Sequence, residues 1–138
     1  MGITSRTLHI LVGLGSLLLF LGSGLYMDMH FPGLYGNNEA IRYQFRANHI
    51  YILMAGLINL AAGLYPAPAR AGWRLALGHL ASALLLLAPA MLVAAFCLEP
   101  VQGGEQRPLT FYGVLMLLLG VLAAHLPALR GHHRRHNG

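Results

Sequence analysis

Four long apolar runs, at about residues 8–27, 46–65, 73–98 and 109–129, carry no Asp, Glu, Arg or Lys away from their ends. At 1.5 Å per residue, a helix of about 20 residues crosses the ~30 Å hydrocarbon core of a bilayer. Only 9% of the chain is charged and 57% is hydrophobic, whereas a soluble domain carries roughly 25% charge. The expectation is an all-α integral membrane protein: a four-helix transmembrane bundle of up-down topology, with residues 1–138 as one domain and a polar tail from 130 to 138. The Arg residues lie outside the runs and form no basic groove, so the net charge of +5 does not indicate a nucleic-acid partner.

The first run is longer than a signal-peptide core and is read as a retained span. Pro32, Gly33 and Gly36 predict an irregular turn after it, with Asn37 or Asn38 capping the second helix and Glu39 in its first turn. Tyr65, Pro66 and Pro68 end that helix, and Pro89 predicts a kink in the third. With four spans, both termini share one side. Arg6, Arg70, Arg74, Arg130, Arg134 and Arg135 fall on that side with no acid among them. Arg42, Arg46 and Arg107 fall on the other, with Asp28, Glu39, Glu99 and Glu105. The positive-inside rule then predicts cytoplasmic termini in a bacterial-type inner membrane.

The second run is the most informative. On a helix, Arg42, Arg46, His49, Gly56 and Gly63 fall within one stripe about 100° wide, with Asn59 at its edge. A lipid-facing surface has no use for such residues, so the stripe is expected to meet protein, with Gly56 and Gly63 at helix contacts. His9, Gly13, Ser16 and Ser23 make a similar small, polar face on the first helix.

Charged residues at membrane depth, usual in ion-coupled transporters, are missing from the runs. Each run instead holds one histidine: His9, His49, His79 and His125. Three of these, His9, His79 and His125, are expected near the cytoplasmic end, and His49 near the outer end. One functional reading has His79 and His125, with His9 at the same level, holding haem b or a metal ion. The bundle resembles haem-bearing membrane anchors of respiratory enzymes at the level of fold alone. The alternative is that each ring is an interhelical hydrogen-bonding group.

At the outer side, Met27, Met29 and His30 form a run of soft and borderline donors, near which Cys97 should emerge; this is a copper reading. Arg42 and Arg46 either anchor at headgroups or, beside His49, hold a quinone or haem propionates. No catalytic set stands out, and acid-base work by an interfacial His or Arg is left open. The leading expectation is an accessory or scaffold subunit in the lipid bilayer, packed against other membrane subunits or copies of itself. A haem or metal redox module and a copper-handling protein are the alternatives.

Overall fold

The computed structural model describes residues 4–65, 72–102 and 106–133, with side chains up to residue 125. They form four helices: α1 (Ser5–Leu34), α2 (Glu39–Leu64), α3 (Trp73–Gln102) and α4 (Pro108–His133). Each has a stretch long and apolar enough to cross a membrane. Local chemistry sets several ends. The Thr4 hydroxyl accepts from the Thr7 amide at the start of α1, and the Asn38 side chain accepts from the Ile41 amide at the start of α2. Pro108 opens α4, where its missing N–H costs nothing. Arg70, Glu105 and the tail from residue 134 lie outside the described residues.

All four helices are longer than the apolar runs, and α1 and α3 extend through a proline. Instead of turning at Pro32, α1 continues to Leu34, and the Tyr35 amide closes on the Phe31 carbonyl. The reason is packing: the Phe31 ring lies 5.9 Å from Phe45 and Tyr35 lies 5.2 Å from Phe45, so the extra turns stay against α2. The connection shrinks to residues 35–38. Likewise α3 runs past Leu98 through Glu99 and Pro100, both buried, to Gln102.

Consecutive helices run antiparallel, as their register shows. A Cβ built on Gly63 would sit 2.6 Å from Ile10, one on Gly13 2.7 Å from Leu60, and one on Gly56 3.0 Å from Ser16. Asn59 reaches the Leu85 carbonyl while Phe45 meets Phe96, which sets α2 against α3. Gly120 and Gly113 approach Leu85 and Leu92 to set α4 against α3. Gly13, Gly56, Gly63 and Gly120 stand where another helix's backbone approaches closely, and Gly113 stands against the Leu92 side chain. Helices α2 and α3 are central and α1 and α4 flank them; among the described residues α1 and α4 do not touch.

The surface is apolar and much of the interior is polar. Leu18, Leu21 and Leu25 are exposed, whereas His9, Asn48, Asn59 and Glu99 are buried beside Phe45, Ile52 and Leu92. In water this would waste the hydrophobic effect; in hydrocarbon, side-chain hydrogen bonds between helices are the useful contacts. The buried face of α2 comprises Phe45, Asn48, Ile52, Ala55, Gly56, Asn59 and Gly63. That face is centred about 60° around the helix from the stripe read in sequence. Gly56, Gly63 and Asn59 lie inside it. Arg42 is only half-buried and Arg46 is exposed, at its margin.

Candidate functional site

At that margin, α1 and α2 separate around an open pocket of about 380 Å³. Arg42 and Arg46, one turn apart on α2, line one wall; Gly24, Met27, Asp28, Phe31 and Pro32 of α1 line the other. Both guanidinium groups lie over the Phe31 ring, at 5.6 Å and 5.9 Å from its centre. The ring face attracts a cation without neutralising it. Among the described residues, neither Arg is within ion-pair distance of a carboxylate, although Asp28 lines the same pocket; the one such pair there is Arg107 with Glu99. The Arg42 Nε is buried and makes no hydrogen bond. The pocket therefore presents two guanidinium groups with unused donors against one carboxylate, Asp28, and is positive on balance.

His49 lies about one turn inward of Arg46 and is not among the residues that line the pocket. Its ring stacks on Phe20 at 4.0 Å, and its Nδ1 lies 2.8 Å from the Ser23 hydroxyl. That hydroxyl also donates to the Phe20 carbonyl at 2.9 Å. Ser23 has one proton, so both contacts are met when His49 Nδ1–H donates to Ser23 Oγ. Nε2 is then left as an acceptor. It lies close to Gly24, where a Cβ would come within 3.8 Å. Gly24, which lines the pocket, thus packs directly against the imidazole. Sequence reading grouped Arg42, Arg46 and His49 at the outer end, and the structure brings all three to one α1–α2 wall.

The inner histidines part company. His9 is buried, with Nδ1 2.7 Å from Asn59 Oδ1 and Nε2 2.8 Å from Ser82 Oγ. Both Asn59 amide hydrogens are committed, to the carbonyls of Ala55 and Leu85. Asn59 Oδ1 must therefore accept, which places the His9 proton on Nδ1 and makes Ser82 the donor to Nε2. Both ring nitrogens are used in joining α1, α2 and α3. His79 and His125 lie exposed on α3 and α4, and His125 Nδ1 donates to the Val121 carbonyl at 2.9 Å. Between these helices, where a flat ring would have to enter, Leu85 and the Ala81 carbonyl sit against Gly120.

The soft donors do not gather either. Met27 packs on the core and lines the pocket, while Met29, about 200° around α1 from it, is exposed. His30 stacks on Tyr26 and bonds its carbonyl, and Cys97 is exposed. Among the described residues, no three of His, Cys, Asp and Glu are grouped to hold a metal ion.

A second polar cluster was not foreseen. Glu99, just past the end of the third apolar run, is buried at the end of α3 and its Oε1 accepts from the Thr110 amide at 3.0 Å. This carboxylate caps α4 from a neighbouring helix, favoured by the α4 dipole. Thr110 Oγ1 also meets the other carboxylate oxygen, and Arg107 Nε lies 3.7 Å from it. Arg107 donates to Asn48 Oδ1, which ties in α2; Thr110 Oγ1 lies 2.8 Å from the same oxygen, and its single proton serves either that oxygen or the carboxylate, not both. One sequence signal was present: Asn48 lies about 20° from Asn59 on the helix, three turns away. Comparison with known protein families, with curated proteins and with solved structures finds no match for this chain.

Proposed function

We propose that this chain is a small polytopic protein of a bacterial-type inner membrane, with both termini cytoplasmic. Its role is that of an accessory subunit that receives an anionic ligand in the outer-end pocket between α1 and α2. The observation that carries this reading is the pair Arg42 and Arg46, both turned over Phe31 into one pocket and neither ion-paired. Unpaired guanidinium groups side by side repel one another and gain most from a shared anion. Snorkelling alone would let each side chain seek water separately.

The orientation rests on the Arg distribution along the chain, which puts the pocket on the acid-bearing, non-cytoplasmic side.

The test is thermal unfolding of the protein in neutral detergent with added anionic compounds: inorganic phosphate, decanoate and short-chain phosphatidylglycerol. At least one should raise the Tm of the parent, and the gain should vanish in Arg42→Gln/Arg46→Gln. Equal gains in parent and variant would remove the pocket as an anion site.

A further inference from the structure

Inward of the pocket, both helices carry exposed apolar side chains on the flank that bears it. Inward from Arg46, the same flank of α2 carries Ile50, Leu53 and Leu57, all within about 60° of one line along the helix. Inward from Asp28 and Gly24, the facing flank of α1 carries Leu21 and Leu17, again within about 60°. On both helices this flank is turned away from α3, which is met instead by His9 and Asn59 through Ser82 and the Leu85 carbonyl. Leu21 is 64% exposed, Ile50 54% and Leu57 52%. The rise from Arg46 to Leu57 is about 16 Å, half of the ~30 Å hydrocarbon core.

Charge and apolar surface are thus arranged in series: two guanidinium groups at the span end, then an exposed apolar flank about one leaflet long. We infer that the α1–α2 face holds one anionic phospholipid of the outer leaflet, its phosphate between Arg42 and Arg46 and an acyl chain along Leu21, Ile50 and Leu57. This rests on reading the pocket as an anion site, and it names the ligand class. A phosphodiester offers several acceptor oxygens to the two planar donors, and its own chain supplies the apolar part that a free phosphate lacks. Gly24 lines the head region without a side chain to narrow it.

The experiment is native mass spectrometry of the full chain from neutral detergent, titrated separately with phosphatidylglycerol, phosphatidylcholine and inorganic phosphate. One phosphatidylglycerol per chain should be retained, in preference to phosphatidylcholine, whose choline offsets the phosphate charge. Each Arg near an anionic headgroup contributes ~1 kcal/mol, a factor of about 5, so Arg42→Gln/Arg46→Gln should weaken phosphatidylglycerol about 25-fold. Arg74→Gln, which removes an Arg held over Trp73 at the start of α3, should change it less than about 2-fold. Leu57→Asn should weaken the lipid and leave phosphate unaffected. Arg42→Lys/Arg46→Lys keeps both charges and should retain most of the binding, which covers the case where the Gln variant fails to fold. Phosphate binding as tight as phosphatidylglycerol, lost in the Gln variant, would overturn the lipid assignment while leaving the anion site. Phosphatidylglycerol binding equal in parent, Gln and Arg74→Gln proteins would overturn both.

Discussion

His9 Nδ1 donates to Asn59 Oδ1 across 2.7 Å, joining α1 to α2 at a depth where neither group can turn to water. Because Asn59 also holds the Leu85 carbonyl and His9 also holds Ser82, this one bond fixes three helices. Its loss strands partners on both sides. His9→Ala should lower stability by about 1 to 3 kcal/mol, the cost of leaving a buried polar group unsatisfied. The direct His9–Asn59 coupling from a double-mutant cycle with Asn59→Ala should be smaller, about 0.6 to 1.7 kcal/mol, as for other interhelical bonds in lipid. Unfolding in mixed micelles measures both, and zero coupling would contradict the assigned tautomer and bond.

Gly56 faces Ser16 and the Gly13 carbonyl at 3.0 Å and 3.2 Å from where a Cβ would be, whereas Gly22 faces open space. Gly56→Leu should therefore force α1 and α2 apart and cost at least the ~1 to 3 kcal/mol of ordinary overpacking. Gly22→Leu should be neutral or slightly stabilising, since it removes a helix-interior glycine. Comparing monomer melting temperatures checks the pair; equal losses would mean that the α1–α2 seam is misassigned.

Glu99 is buried against Arg107, Thr110 and the first turn of α4. Removing only the acid leaves a guanidinium with little solvent and no counter-charge, so Glu99→Ala should cost about 3 kcal/mol or more. Glu99→Gln/Arg107→Gln removes both charges and should recover most of that loss. Denaturation of the two variants decides it. A double variant no better than Glu99→Ala would show that capping of α4, not the ion pair, dominates.

What could be read from the sequence follows the physics of each signal. Span number, small-residue faces and the Asn38 cap come from local spacing, and His9, Gly13, Ser16 and Ser23 lie buried as their heptad spacing implies. The continuation of α1 through Pro32 depends on distant aromatic contacts with Phe45, which no local pattern contains. The same holds for Glu99: a Glu-Pro step beside glycines reads as a loop until α4 supplies an amide for the carboxylate. At the candidate site, Arg42, Arg46 and His49 were recognisable as a helical group. The α1 wall around Phe31 was not, because Phe31 lay in a segment read as a turn. Levels along the membrane placed His9, His79 and His125 near one another, but rotation about each helix axis decides which rings face inward. The buried ring is His9.

The central claim, an outward-facing anion pocket between α1 and α2, is most directly tested by chemical access to Asp28. It lines the pocket without an ion pair, and the native thiol Cys97 is exposed and must be removed. A Cys97→Ala/Asp28→Cys protein should react with an impermeant maleimide in right-side-out spheroplasts. After reconstitution, the reaction should be several-fold slower in phosphatidylglycerol than in phosphatidylcholine, because the occupied headgroup covers the thiol. Labelling only after lysis, or equal rates in the two lipids, would contradict the account.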